Sequence, residues 1–278
     1  MGGDGLMWFG YEPWISTGWS ATISENAAVW NAMATPYWQH IAAAYHGGEN
    51  DSLAIANVSR MITGWYEHEF VDYLDGGMVE GFMTDTGEAN NRLIGGDWRL
   101  SASRILRYLT GNGKIMISQP NNSDTNNLAM REWWVANYFL LKNNTSYYFY
   151  ARGQEVAWWP EYDIDLGAYT APPTQNLADL LVTGTTSLYH REYADGLVLV
   201  NPGESAQSYT LNKAYCQYAF SGGGTLNGVE KPTMTLTCNA ELSGAITIEP
   251  HTALILRKNN ENPSAQALPA ILYLLILQ

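Results

Sequence analysis

Basic residues are scarce in this chain. Fourteen lysines and arginines stand against 27 aspartates and glutamates, for a formal net charge of -13. That balance argues against a nucleic-acid partner, whose phosphates it would repel, and against docking on an anionic membrane surface. Charge of either sign is thin, at 15% of residues, while hydrophobic residues reach 46%. A chain so composed has enough apolar matter for a sizeable core and is not a disordered one. Cysteine is nearly missing. Cys216 and Cys238 can form one disulfide in an oxidising compartment or stay as two buried thiols, and the sequence leaves both open.

Motifs are missing too. No Cys/His cluster has metal-ligand spacing, and the five histidines, His40, His46, His68, His190 and His251, are scattered. No Gly-x-Ser-x-Gly elbow marks a serine hydrolase, and no Gly-x-Gly-x-x-Gly or P-loop marks a nucleotide site. No metal or other cofactor is expected. The start, Met1 to Gly5, has neither the basic opening nor the apolar stretch of a signal peptide, and it reads as a chain entering mid-fold. The apolar tail Leu268 to Leu277 is about half as long as a membrane span. It follows a polar linker and is expected to be non-globular, so no membrane span is expected.

Phenylalanine is the scarce aromatic: 6 Phe against 11 Trp and 18 Tyr. Trp and Tyr join a flat apolar face to a polar tip, which suits half-wet surfaces. Sugar rings have such faces, with C–H groups on one side and hydroxyls at the rim.

Up to about residue 186, short apolar runs alternate with helix-like segments. Strands are expected at Leu6 to Phe9, Ser52 to Asn57, Gly77 to Phe82, Lys114 to Pro120 and Ser146 to Tyr150. Helices are expected at Ala27 to Tyr45, with a kink or break at Pro36, and at Met61 to Leu74, Trp98 to Leu109 and Leu128 to Leu141. Continuous apolar strands between helices imply a parallel sheet covered on both faces. Five such units do not close an eight-stranded barrel, which takes about 250 residues. The expectation is an α/β fold: a (β/α)8-type barrel, incomplete at its N-terminus, in residues 1–186, then a small all-β sandwich in 187–258 and a linker and tail in 259–278. The second part rests on short β-rich runs separated by turns such as Asp195-Gly196 and Gly222-Gly223-Gly224.

In a parallel barrel, function gathers at the C-terminal ends of strands. The residues expected there are Tyr11, Glu12 and Trp14; Asn57 and Arg60; Glu80, Asp85 and Glu88; Gln119 and Asn121; and Arg152, Trp158, Trp159 and Glu161. Carboxylates, amides and Trp form the set that glycoside hydrolysis needs, with two carboxylates flanking the scissile bond. Glu80 stands out because a charge ending an apolar strand is costly without a purpose. Its structural alternative is an ion pair with an arginine at the rim. Glu12 and Glu161 are the candidate partners, each equally readable as a loop carboxylate.

Four segments carry a resemblance: Asp75 to Phe82, Gly113 to Pro120, Trp159 to Gly167, and Tyr189 to Pro202. Over roughly residues 50 to 257 the chain resembles the glycoside-hydrolase-like proteins of bacteria, (β/α)-barrels related to polygalactosaminidase-type and alpha-amylase-like enzymes, with a C-terminal β-sandwich. The resemblance implies a glycosidase with a carboxylate at the end of a central strand, a place that Glu80 matches. It also implies a second carboxylate on an earlier strand, where Glu12 would have to serve.

The expected function is glycoside hydrolysis of a poly- or oligosaccharide. Glu80 would be general acid or nucleophile with Glu12 or Glu161 as partner. Asn57, Gln119, Arg152 and Tyr11 would contact the substrate, and Trp158 and Trp159 would stack on sugar rings. A non-catalytic carbohydrate-binding barrel is the alternative, and a surface protein using the sandwich for contacts is a third. A secreted, periplasmic or cell-surface location is expected for the full-length form.

Overall fold

The computed structural model describes residues 23–47, 52–61, 68–85, 92–120, 125–150 and 156–258. The expected strand Leu6 to Phe9, the residues Tyr11, Glu12, Trp14, Glu88, Asn121 and Arg152, and the tail from 259 lie outside them.

Helix α1 (Ile23–His46) continues through Pro36, so the break that the sequence allowed there does not occur. Its Trp38 stacks on Phe70 at 5.5 Å between ring centroids. Four short parallel strands follow: β1 (Ile55–Asn57), β2 (Gly76–Glu80), β3 (Ile115–Gln119) and β4 (Ser146–Tyr148), side by side in chain order. The crossovers are a 3-10 turn (Glu69–Tyr73), helix α2 (Gly95–Arg104) widening into a π turn (Ile105–Leu109), and helix α3 (Leu128–Leu141). Helix α3 starts where the sequence predicts because Asn127 caps it, its side chain accepting from the Met130 N–H. Among the described residues no helix is long and apolar enough to cross a membrane.

Among the described residues the sheet does not close, and this corrects the expected barrel. There β1 and β4 are its two edges. The next strand, β5 (Ala157–Trp158), leaves it to pair antiparallel with β9 (Gly224–Thr225), far along the chain. A buried strand carries the same continuous apolar run whether its sheet closes or stays open. Strand–helix alternation therefore could not separate the two, and strand-rich structure takes over beyond β4.

The sandwich is corrected as well. Strands β6 (Tyr189–Glu192), β7 (Gly196–Asn201), β8 (Gln207–Gly222), β10 (Met234–Ile248) and β11 (Thr252–Lys258) make one antiparallel sheet in the order β10-β8-β11-β7-β6. Helix α3 lies against β6, β7 and β11, where a second sheet would have stood. Residues alternate between faces along a strand, and β7 shows this: Val198 and Val200 join the large core with α3 and the parallel sheet, while Leu197 and Leu199 join a smaller cluster with Leu211, Tyr215 and Leu256.

The large core holds Trp98, Trp133 and Trp134, all almost fully buried. Buried indole N–H groups usually find an acceptor, and two of the three do. Trp98 donates to Asn137 Oδ1 at 2.6 Å and Trp133 to the Met83 carbonyl at 3.2 Å. The second bond ties α3 to the loop that follows β2.

Candidate active site

Parallel strands send their C-terminal ends to one edge, and three polar side chains meet there. Glu80 lies directly opposite Gln119 in the β2–β3 register, and Asn57 lies opposite Met78 in the β1–β2 register. Residues two apart on a strand share a face, so Asn57, Glu80 and Gln119 all project to the same side. The Asn57 Nδ2 group donates to Glu80 Oε2 at 2.7 Å. Asn57 is itself held, because its Oδ1 accepts from the Ser59 N–H at 2.9 Å. Which way the amide points is thus fixed by the backbone, and the amide fixes the carboxylate. Among the described residues the other oxygen, Oε1, receives no hydrogen bond. The partner of Glu80 is an amide, and the arginine pairing is not formed.

Backbone strain collects at the same edge. Ser59, Met61 and Met83 have φ of 51°, 55° and 51°, a left-handed conformation costing a non-glycine residue roughly 1–2 kcal/mol. They sit just past the ends of β1 and β2. Gly81, with φ 70°, makes the turn that lets the Thr84 N–H reach the Gly81 carbonyl. Its freedom serves chain reversal. Arg60 then links the two loops, donating to the Thr84 carbonyl at 3.4 Å and lying 3.9 Å from Asp85. Strained residues concentrate at sites where the surroundings over-determine them.

Glu161 is not free at that edge. It is 2% exposed and locked in a fork with Arg131: Nε donates to Oε1 at 2.7 Å and Nη2 to Oε2 at 2.5 Å. The Tyr150 hydroxyl donates to Oε1 at 2.7 Å. Arg131 also donates to the carbonyls of Thr125 and Gly222. This clamp joins α3, the turn at Pro160–Asp163 and the end of β8. Trp159 belongs to it, buried with the Arg131 guanidinium 4.6 Å from its ring centre. Gly223 must be glycine here, because a Cβ would come within 2.6 Å of the Trp159 ring. Neither Glu161 nor Trp159 has a surface for a sugar.

Trp158 is half-buried, and Lys231 Nζ sits 4.0 Å from its ring centre. Lys231 is anchored by Asp163 at 3.2 Å, so a charged side chain covers one ring face.

Sequence reasoning missed Arg131 and the adjacent Glu132. Both lie in the expected helix Leu128 to Leu141, where two neighbouring charges in an otherwise apolar segment are a signal in themselves. Burial pushes the Glu132 carboxyl up to about 7, against the downward pull of a hydrogen bond from Gln217 and of the Arg92 charge.

The family described as hypothetical glycosyl hydrolase family 15 matches residues 15–197. The chain belongs to that family. The match runs from α1 through β6 into β7 and takes in Asn57, Glu80, Gln119, Trp158 and Glu161. Family membership and the amide-held carboxylate thus fall on the same stretch. No curated protein matches the chain.

Proposed function

We infer that the chain is a glycoside hydrolase acting on a poly- or oligosaccharide, with Glu80 as its acting carboxylate. The observation that carries this reading is the 2.7 Å bond from Asn57 to Glu80 at the C-terminal edge of the parallel sheet, with Gln119 in register beside it. Hydrolysis of a glycosidic bond needs a carboxyl oxygen aimed at the leaving oxygen or the anomeric carbon. Anchoring Oε2 to an amide leaves Oε1 to do this in a fixed direction, which converts binding into productive orientation. Gln119 supplies both a donor and an acceptor for sugar hydroxyls.

Glu161 acts here by holding Arg131, not as the second carboxylate. Glu12 keeps its candidacy for that role. Membership in a hydrolase-named family and a half-wet, Trp- and Tyr-rich composition support a carbohydrate substrate. The Cys216–Cys238 disulfide supports an extracytoplasmic, oxidising location.

The test is to incubate the chain with a panel of neutral polysaccharides and oligosaccharides, following reducing-end release and binding in parallel. Release from at least one member is expected. Binding without release would make this a carbohydrate-binding protein, and neither would point to a surface role.

A further inference from the structure

A second polar cluster lies beside the loop that follows Glu80, and its members do not satisfy one another. Arg92 bridges to Thr84, four residues past Glu80, and its guanidinium stands 5.9 Å from the Trp133 ring. Glu132 is the neighbour of Trp133 on α3. Gln217, on β8, donates to Glu132 Oε1 at 3.3 Å. All three side chains are half-buried.

Arg92 and Glu132 attract each other yet do not close an ion pair within 4.0 Å. The Arg92 Nε–H is buried, and among the described residues it has no acceptor. A buried donor without a partner costs about 1–3 kcal/mol. Glu132 has a single long hydrogen bond for two oxygens.

The charges decide what would suit these three side chains. An anion would meet Glu132, and a cation would meet Arg92. A neutral group that both accepts and donates suits both, and adjacent hydroxyls on a sugar ring do so. We propose that Arg92, Glu132 and Gln217 form a saccharide subsite. In it the Arg92 guanidinium donates to one hydroxyl, the Glu132 carboxylate accepts from its neighbour, and Gln217 bridges them. The hydroxyl chemistry follows from the three side chains, and its assignment to the substrate's own glycan rests on the proposed function. Glu132 binds best when ionised. Its charged neighbour, Arg92 from the loop after β2, keeps its charge throughout the range in which Glu132 titrates, and Gln217 from β8 does not titrate.

The experiment uses the full chain with Glu80→Gln, so that the glycan stays intact, and measures calorimetric affinity for neutral oligosaccharides of about two to six rings. Ionisation changes about tenfold between pH 6 and pH 8 for a group titrating near 7. Affinity is therefore expected to rise by up to about tenfold over that range. The isosteric Glu132→Gln should remove the pH dependence, and Arg92→Met should weaken binding about tenfold, the worth of a charge-assisted hydrogen bond. Gln217→Leu probes the same subsite from another element, should Arg92→Met fail to fold.

Affinity that ignores all three variants, or no binding by any oligosaccharide, overturns the subsite. If the chain without Glu80→Gln also releases reducing ends, the former result leaves the hydrolase reading standing. Conversely, pH-dependent binding abolished by Glu132→Gln in a chain that cleaves nothing supports the subsite and sinks hydrolysis.

Discussion

Arg131 is nearly unexposed and makes four hydrogen bonds to three parts of the chain: two to Glu161, and one each to the carbonyls of Thr125 and Gly222. Removing one partner of a buried ion pair leaves the other charge stranded, at a cost of about 3–5 kcal/mol. Arg131→Met is expected to lower stability by that amount in urea unfolding. Adding Glu161→Gln should recover part of it, because the stranded charge goes too. Recovery that fails would mean the arginine matters for its packing against Trp159 and Phe220 rather than for its charge. The two residues lie 30 positions apart, so no local pattern could announce the pair. A carboxylate among Trp and Tyr reads equally as a ligand site or a packed clamp, so the clamp around Glu161 and Trp159 could not be foreseen. The place of Asn57, Glu80 and Gln119 at strand ends was legible, because each closes an apolar run.

Helix α3 was legible to the residue, since a capping Asn127 precedes it and a polar run from Lys142 follows it. The long hairpin was not. Strands β8 and β10 extend for 16 and 15 residues, where the apolar pattern suggested two short runs each. Irregularities between Cys238 and Ala240 and between Leu242 and Gly244 shift the register, and a bulge of this kind breaks the alternation from which a strand is read. The disulfide from Cys216 to Cys238 ties the two strands across this region. It closes a loop of 22 residues, for which chain entropy gives about 3 kcal/mol of stabilisation. Reduction, or Cys216→Ser with Cys238→Ser, is expected to lower the urea midpoint accordingly. An unchanged midpoint would show that the hairpin holds without the bond.

For the whole molecule, the parallel sheet and the helices between its strands were visible in the sequence, but not the open edges it has among the described residues. Closure depends on strand tilt and stagger, which leave no mark on an apolar run. Global stability carries a pH signature from His68, wholly buried and 6.3 Å and 6.1 Å from the ring centres of Phe70 and Tyr108. Burial, helped by the Arg104 charge, lowers its pKa from 6.5 to about 3. A depressed histidine is neutral in the folded chain and protonates first when unfolded. Its contribution is complete above pH 6.5 and is lost as pH falls toward 3. Urea midpoints should decline across that window, and His68→Phe should flatten the decline. An unchanged slope would show that carboxylates alone govern acid unfolding.

The proposed reaction rests on one carboxylate, Glu80, at the C-terminal edge of the parallel sheet. The direct test compares kcat/KM for Glu80→Gln with that of the unaltered chain on the oligosaccharide it cleaves best, alongside the affinity of both for the same sugar. Loss of a positioned carboxyl acting in proton transfer costs about 10²–10⁴-fold. A fall of that size with affinity kept within a few-fold is the expected result. Turnover within a few-fold of the unaltered chain would remove Glu80 from the reaction and contradict the account.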